Sequence, residues 1–208
     1  MYTGITQGLF EVVSLERAEG LQRFSLAFTP RLVESLSCGA SVSIDGVCHT
    51  VVSVDGFRVS FESMEETMRL TTLGSLMVGQ FVSVERSARL GDEIGGHEMA
   101  GHVVGTGKIH KVAPRGKSLT LSIECPVEWM KYIFYKGFIG VDGSSLTVGK
   151  TDEAGYFEIH LIPETLRLTN FGNKKIGECV NIELDAKTRT IVDTVERTIK
   201  HCQSWIPL

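Results

Sequence analysis

Two short stretches of this chain place thiol, hydroxyl and imidazole groups at matching positions. Asp45–Val51 reads DGVCHTV, and Asp142–Val148, 97 residues later, reads DGSSLTV. Residues two apart on a strand share a face, so Cys48 is expected beside Thr50, and Ser145 beside Thr147. Threonine on a strand and serine after glycine are common, but the recurrence of the pair beside Asp-Gly favours a function. A thiol in one copy and a serine in the other would give two bound molecules different roles.

A histidine adds an acid–base group to the second copy. Aligned with the repeat, Thr3–Thr6 matches 101–104 in position, which sets His102 opposite Gly4. Histidine exchanges protons near neutral pH, so His102 is a candidate general acid–base. A histidine that only makes a hydrogen bond is the alternative.

Other reaction classes lack their motifs. The chain contains no GxGxxG after a strand and no GxxxxGK[ST], HExxH or GxSxG sequence. Its six histidines are dispersed, and its five cysteines form no CxxC pair, which argues against a zinc site or a disulfide scaffold. Metal ligation is therefore not expected.

The matching stretches belong to a longer repeat that must position them. Glu66–Thr71 returns as Glu164–Thr169, and Val78–Glu85 returns as Ile176–Glu183, at a spacing of 98 residues. This period suits a whole small domain, so the 208 residues are interpreted as a duplicated domain. A duplicated binding domain implies two ligand sites per chain.

Each copy is predicted to be a small antiparallel barrel or sandwich. Short apolar segments bounded by glycine and acidic turns, with Asp-Gly corners, are typical of an all-β domain. The predicted strands include 40–44, 50–54, 58–62, 81–85, 118–125, 138–141, 156–161 and 180–184. Short helical pieces are expected at 31–36, 65–73, 127–132 and 164–171. The glycines of 86–96 favour either a close backbone approach to another surface or a flexible linker.

The C-terminal stretch has no counterpart in the first copy. Apolar residues recur at three- and four-residue steps, which predicts an amphipathic helix: Ile191, Val195, Thr198, Ile199, Cys202, Trp205 and Ile206. Asp193 with Arg197 and Glu196 with Lys200 would add pairs on its polar side. The narrow stripe would serve self-association, or it would pack on the barrels.

Composition limits the classes of binding partner and the cellular compartment that are expected. The net charge is −4 with scattered Lys and Arg, so neither nucleic acid nor an anionic membrane is indicated as a partner. The N-terminus has no signal-peptide pattern, and no apolar run reaches the length of a membrane span. A cytoplasmic protein is expected.

Longer motifs resemble the riboflavin synthase family, whose members are duplicated lumazine-binding barrels. The motifs are MYTGI at 1–5, GGHEMAGH at 95–102, YKGFIGVDGSSLTV at 135–148 and HLIPETL at 160–166, and the resemblance covers essentially the whole chain. It implies two tandem six-stranded Greek-key β-barrels over 1–97 and 98–186, and a C-terminal α-helix over 187–208 that holds a homotrimer together.

The resemblance also implies a reaction. The family moves a four-carbon unit between two molecules of 6,7-dimethyl-8-ribityllumazine, giving riboflavin and 5-amino-6-(ribitylamino)uracil, with no cofactor or metal. In the family, the N-terminal barrel of one subunit faces the C-terminal barrel of its neighbour. Lumazine synthase is a candidate partner. A non-catalytic lumazine- or flavin-binding antenna protein of the same family, and a flavin-binding barrel of a reductase, are the alternative functions.

Site residues follow from the resemblance. One lumazine is expected on Gly4, Ile5, Thr6, Cys48, His49, Thr50, Glu62, Ser63, Met64, Glu65, Glu66 and Thr67. The other is expected on Gly101, His102, Val103, Ser145, Leu146, Thr147, His160, Leu161, Ile162, Pro163, Glu164 and Thr165, with Lys136 also at the site.

Roles are assigned on the same basis. Ser145 and Thr147 would bind the pteridine edge and relay a proton from the C7 methyl, with His102 as the general acid–base beside them. Cys48 would add to C7 of the partner ring or deliver water to it. Glu66 and Glu164 would bind ribityl hydroxyls.

Two positions depart from the usual family pattern. Tyr2 stands where phenylalanine is common, and His49 stands where an apolar residue is usual. The His49 side chain is expected to point away from Cys48 and Thr50.

Overall fold

Two closed antiparallel barrels follow each other along the chain in the structure, a computed structural model that describes residues 1–203. The first barrel contains β1 (Gly8–Ala18), β2 (Leu21–Ala27), β3 (Ser41–Ile44), β4 (Val47–Asp55), β5 (Arg58–Met64) and β6 (Phe81–Arg86). The second contains β7 (Gly105–Arg115), β8 (Ser118–Glu124), β9 (Phe138–Val141), β10 (Ser144–Thr151), β11 (Tyr156–Leu161) and β12 (Cys179–Leu184). The first closes in the order β1-β2-β5-β4-β3-β6, and the second closes in the equivalent order β7-β8-β11-β10-β9-β12. Two six-stranded barrels are therefore confirmed.

The inward side chains of each barrel form its own hydrophobic core. Phe24 and Phe61 lie at the centre of the first, and Phe157 and Phe171 are fully buried in the second. Burial alternates along the strands, as it must when one face of a closed sheet points inward.

The Asp-Gly corners are tight hairpin turns, as predicted. Asp45 (φ 44°) and Gly46 (φ 84°) join β3 to β4, and Asp142 (φ 42°) and Gly143 (φ 80°) join β9 to β10. Two successive residues with positive φ are what a two-residue hairpin of type I′ requires.

Helices are short except at the C-terminus, and most differ slightly from prediction. They are α1 (Pro30–Val33), α2 (Glu65–Leu70), α3 (Pro163–Leu168) and α4 (Ala186–Gln203), with 3₁₀ turns at Thr72–Ser75, Val127–Tyr132 and Asn170–Asn173. The helices predicted to run to 73 and 171 end early because a threonine at each end is extended and its hydroxyl donates to a carbonyl four residues back. These are Thr71 to Thr67 O at 2.7 Å and Thr169 to Thr165 O at 2.6 Å. The segment predicted as a helix over 31–36 ends at Val33, since Ser35 has a positive φ of 55°.

The C-terminal helix packs lightly on the second barrel. Tyr132 donates a hydrogen bond to Asp193 at 2.5 Å, and Lys131 contacts Glu196 at 2.5 Å. On its own helix, Asp193 also lies 3.8 Å from Arg189. Ile191, Val195 and Ile199 keep half or more of their surface exposed. Trp205 and Ile206, and the predicted extension of the helix to 208, lie outside the described residues.

Candidate functional site

The matching stretches form the outer faces of equivalent strands. On β4, Cys48 is half-buried and Thr50 is exposed, and both point outward, whereas His49 between them is buried. On β10, Ser145 and Thr147 point outward, and Leu146 is buried. The predicted pairing of the small reactive side chains on one face is confirmed in both barrels.

The segments that precede the two barrels cross to the opposite barrel. We call residues 1–7 the first arm and residues 98–104 the second arm. The Ser145 N–H donates to Gly4 O at 2.8 Å, and the Cys48 N–H donates to Gly101 O at 2.9 Å. Where they cross, Tyr2 and Met99 exchange both backbone hydrogen bonds, at 2.8 and 3.0 Å. Each outer face is thus completed by the arm that belongs to the other barrel.

This crossing corrects two expectations. The predicted grouping placed 4–6 with Cys48 and 101–103 with Ser145, whereas the structure exchanges the two arms. The predicted alignment set Gly4 opposite His102, but Gly4 and Gly101 are the equivalent residues, so His102 corresponds to Ile5. Strand periodicity cannot reveal a one-residue error in the alignment of the arms, because the arms have no periodic pattern.

Glycine is required at both contact points. Gly4 has φ 74° and Gly101 has φ 77°. A Cβ on Gly4 would lie 2.6 Å from Ser145 N, and one on Gly101 would lie 2.9 Å from Cys48 N. No side chain fits there without displacing the strand, so the glycines let arm and strand meet directly.

A carboxylate at the end of each barrel anchors its own arm. Glu85 accepts hydrogen bonds from Thr3 N (2.7 Å), Thr3 Oγ1 (2.8 Å) and Gly4 N (3.0 Å). Glu183, its counterpart in the repeat, accepts from Ala100 N at 2.7 Å and from Gly101 N at 3.0 Å. Burial raises the pKa of both carboxyls, and these backbone donors act in the opposite direction. The arms therefore have fixed positions over the strands.

The Ser145 hydroxyl has a histidine partner that differs from the predicted one. His97 Nδ1 lies 2.6 Å from Ser145 Oγ, and the imidazole stacks on Phe138 with ring centroids 5.0 Å apart. His97 is 7% exposed, and burial lowers its pKa, which favours the neutral ring. In the tautomer with its proton on Nε2, Nδ1 can accept the serine proton. Nε2 has no hydrogen-bond partner among residues 1–203. This pair has the geometry of a hydroxyl activated by a base.

The Cys48 thiol has a different partner. Tyr2 donates a hydrogen bond to Cys48 Sγ at 3.1 Å. His102, exposed and next to Gly101, lines a cavity of about 770 Å³ together with Cys48, Glu98, Asp185 and Lys187. The expectation that His102 lies beside Ser145 is therefore wrong within the chain, where it lies on the Cys48 side.

The remaining predicted residues extend the two faces. Glu62, Ser63 and Met64 continue β5 beside Thr50 and His49, and His160 and Leu161 continue β11 beside Thr147 and Leu146. Glu65, Glu66 and Thr67 open α2; Ile162 precedes α3, and Pro163, Glu164 and Thr165 open it. We therefore define the Cys48 site as 48–50, 62–67 and 101–103, and the Ser145 site as 145–147, 160–165, 4–6 and His97.

Several predicted side chains have other partners. His49 points into the first core, bonded to Val47 O at 3.0 Å and to Ser63 Oγ at 2.8 Å, so it faces away from the site as expected. Glu62 pairs with Arg23, and Glu164 pairs with Arg167. Lys136 lies on the exposed rim of the second barrel, 5.5 Å from the Tyr135 ring, at a positive φ of 66°.

Sequence reasoning missed the role of His97, and it noted Tyr2 only as a departure from the family pattern. His97 precedes the second arm, and Tyr2 contacts a residue 46 positions away. The predicted close backbone approach within 86–96 does occur, at Gly96, where a Cβ would lie 2.1 Å from Thr3 O. No cluster of three or more potential metal ligands occurs in the described part of the chain. Within that part, no helix is both long and apolar enough to cross a membrane.

Comparisons with known proteins agree with the duplication. A family model described as the lumazine binding domain matches residues 3–87 and again 100–185. The curated riboflavin synthase of Escherichia coli (strain K12) is 44% identical over 201 residues, covering 96% of this chain and 93% of that protein. The riboflavin synthase of Chlamydia pneumoniae is 40% identical over 199 residues, covering 96% and 97%.

Solved structures show the same fold. LumP complexed with riboflavin has a TM-score of 0.82 at 24% identity and covers 88% of this chain and 99% of that one. LumP complexed with 6,7-dimethyl-8-(1'-D-ribityl) lumazine has a TM-score of 0.80 at the same identity and coverage.

Proposed function

The chain belongs to the riboflavin synthase family of duplicated lumazine-binding domains, and we propose on that basis how its two sites divide the reaction. The enzyme is a transferase that converts two molecules of 6,7-dimethyl-8-ribityllumazine into riboflavin and 5-amino-6-(ribitylamino)uracil. Two identical substrates in unlike roles require two similar binding faces with different reactive groups. The single observation that carries the proposal is the Ser145–His97 contact at one face against the Cys48–Tyr2 contact at the other.

The Ser145 site is proposed to bind the lumazine that loses a proton. The C7 methyl is acidic because its anion delocalises into the pteridine ring. Ser145 Oγ takes the methyl proton while its own proton moves to His97 Nδ1, which is neutral and 2.6 Å away. Thr147, on the same face, holds the pteridine edge.

The Cys48 site is proposed to bind the partner lumazine. Cys48 Sγ faces C7 of that ring, and Thr50 on the same face contacts the pteridine. His102, which lines the same cavity as Cys48, supplies the general acid–base at this site. Glu66 at the start of α2 and Glu164 in α3 are proposed to bind ribityl hydroxyls. Holding two rings with their reacting carbons close can supply about 7–11 kcal/mol of the barrier reduction.

The oligomer is proposed to bring the two kinds of site together. The exposed apolar stripe of α4 (Ile191, Val195 and Ile199) would join three chains, so that the Cys48 site of one subunit faces the Ser145 site of its neighbour. Lys136, on the rim of the second barrel, would reach the shared space from there. The functional division of the chain is then 1–97, 98–186 and 187–208. Lumazine synthase remains a candidate partner.

The decisive experiment needs one substrate and no additions. Purified protein is incubated with 6,7-dimethyl-8-ribityllumazine alone, and riboflavin formation is followed by absorbance. We expect riboflavin and the aminouracil in a one-to-one ratio. A fluorescent complex that never turns over would contradict the proposal and would favour a non-catalytic antenna protein, since those relatives bind the same ligands.

A further inference from the structure

The Cys48 site contains a tyrosine hydroxyl that has no counterpart at the Ser145 site. Tyr2 and Met99 are paired across the crossing of the arms, and each lies next to the glycine of the opposite arm. The Tyr2 ring lies against Gly101, and the Met99 side chain lies against Gly4. Because a thioether carries no proton, the Cys48 site alone gains a hydrogen-bond donor from this pair.

Tyr2 has little freedom to move. It is 2% exposed, and its backbone is bonded to Met99 in both directions. A Cβ on Gly101 would lie 3.0 Å from Tyr2 Cε2, so the ring fills the space beside the second arm. The phenol oxygen is therefore held 3.1 Å from Cys48 Sγ without a change of rotamer.

The phenol keeps its proton. Burial, then the hydrogen bond and the charge of Cys48, raises the pKa of Tyr2 well above its ordinary value. Tyr2 is therefore the donor and the sulfur is the acceptor. A donor to sulfur stabilises the thiolate relative to the thiol, because hydrogen bonds to the charged form favour it.

We propose that Tyr2 is a positioning residue for the Cys48 site: its hydroxyl donates to Cys48 Sγ, directs that sulfur and raises its reactivity. The inference rests on the proposed function in one respect, since it assumes that Cys48 faces a bound lumazine. Its effect on the sulfur is a property of the protein without substrate, so it can be tested separately.

Other groups also face this sulfur and must stay constant in the test. They are Glu98 and His102 from the second arm, and Asp185 and Lys187 at the start of α4. Glu85 lies close enough to raise the pKa of Tyr2 further. Tyr2→Phe removes one oxygen and leaves all of these in place, so a difference from the wild type reports the hydroxyl.

The first measurement is the pH dependence of alkylation at single cysteines. Wild type and Y2F, without substrate, are treated with iodoacetamide from pH 6 to 10, and each cysteine peptide is quantified by mass spectrometry. We expect Cys48 to be labelled roughly tenfold more slowly in Y2F than in the wild type at a fixed pH. Cys38, exposed in the same barrel, serves as an internal standard whose profile should not move.

A matched control and an opposite change sharpen the result. Tyr156→Phe makes the same chemical change on the second barrel, at a ring that packs on His110, and should leave the Cys48 profile and turnover unchanged. Incorporating 3-fluorotyrosine makes the phenol a stronger donor and should make Cys48 labelling faster at a fixed pH. An unchanged Cys48 labelling rate in Y2F, or a change of the same sign in both substitutions, would overturn the inference.

Turnover separates this inference from the proposed function. If the wild type forms riboflavin, Y2F should show a several-fold lower kcat with a nearly unchanged KM. A wild type that forms none refutes the proposed function, whatever the alkylation profile shows. A wild type that turns over, with a Y2F variant equal to it in profile and kcat, refutes the role of Tyr2 alone.

Discussion

At the scale of single residues, the equivalent strands β4 and β10 carry reactive side chains with different hydrogen-bonding partners. Ser145 and Cys48 occupy equivalent positions, and their strands meet equivalent glycines. Ser145 contacts a neutral imidazole that can accept a proton, whereas Cys48 contacts a phenol that donates one. The difference between the sites therefore lies as much in these partners as in the sulfur and oxygen themselves.

Replacing the imidazole tests the first of these contacts. His97→Gln should lower kcat by about 10²- to 10⁴-fold, the range typical of a lost general base, with a small change in KM. Because burial lowers the pKa of His97, the ring stays neutral to below pH 6.5, and the acid limb of wild-type kcat should lie below that value. H97Q should lose this limb.

The controls for His97 use another histidine and a double variant. His110→Gln removes an exposed imidazole from the outside of the same barrel and should leave kcat unchanged. Ser145→Ala combined with H97Q should be no slower than either change alone, since the two residues act as a unit. Additive losses would show that they act separately.

His49 predicts a pH dependence of stability. Burial lowers its pKa to about 4, against 6.5 for an ordinary histidine. The unfolded chain therefore takes up the proton first as the pH falls. The stability due to neutral His49 is complete above pH 6.5 and is lost as the pH falls to about 4, a difference on the order of 3 kcal/mol.

Urea unfolding of His49→Leu beside wild type checks this. Between pH 6.5 and 4 the free energy of unfolding of H49L should fall less steeply than that of wild type, because leucine cannot bind the proton. Identical slopes in that window would contradict the prediction.

The reactive pairs were predictable from the sequence, and their partners were not. Cys48 with Thr50 and Ser145 with Thr147 depend only on the two-residue period of a strand, which is a local property. The partner of Cys48 is 46 residues away, and that of Ser145 is 48. Such contacts depend on how the chain outside the strands packs, and no periodic pattern encodes it.

At the scale of elements, the strands were predictable from the sequence and the positions of the arms were not. All eight predicted strand segments lie within or overlap observed strands, because alternating burial and Asp-Gly corners leave a clear pattern. The arms are fixed by hydrogen bonds to Glu85 and Glu183 and by two backbone contacts across the barrels. The resemblance supplied the residues of both arms, but only the structure shows which barrel each arm completes.

The apolar stripe of α4 carries the prediction for assembly. Val195→Asp with Ile199→Asp places two charges on a stripe that is half exposed in the isolated chain. If the stripe joins three chains, sedimentation should show dissociation to single chains, because burying unpaired carboxylates is costly. Riboflavin formation should fall with it, since the sites are proposed to lie between subunits.

Lys200→Asp is the control for this change. It adds a similar charge on an exposed residue of the same helix outside the stripe. We expect K200D to keep the association state and the activity of wild type. A double stripe variant that still sediments like wild type would contradict the role of α4.

At the scale of the whole molecule, the two barrels meet at their Asp-Gly corners around a buried charge. Burial raises the pKa of Asp45 and of Asp142, and Lys174 lies 3.2 Å from Asp142. Burial opposes the charged form of Lys174, yet the two aspartates together raise its pKa. The shared cation therefore offsets part of the cost of placing two carboxyls together, and it couples one barrel to the other.

Asn181 is the residue whose loss should reveal that coupling. Its amide oxygen accepts from Thr72 N at 2.8 Å, and its amide nitrogen donates to Asp45 O at 2.8 Å, so one side chain of the second barrel satisfies two backbone groups of the first. Asn181→Ala would leave both groups without partners, and we expect a loss of about 3 kcal/mol in the free energy of unfolding by urea.

The repeat supplies the matched control for Asn181. Ser83 is its counterpart on β6, with the same backbone bond to the Asp-Gly corner: the Ser83 N–H donates to Asp45, and the Asn181 N–H donates to Asp142. The buried Ser83 hydroxyl interacts with Asp45 of its own barrel, however, and makes no hydrogen bond to the second barrel within residues 1–203. Ser83→Ala should therefore cost no more than about 1 kcal/mol, the typical net contribution of one hydrogen bond. Equal losses in the two variants would mean that strand packing, and not the contact between barrels, determines the effect. A large loss confined to N181A would instead show that the two barrels are stabilised as one unit. The side chain responsible would then come from only one of the two copies, at the Asp-Gly corners where the barrels meet.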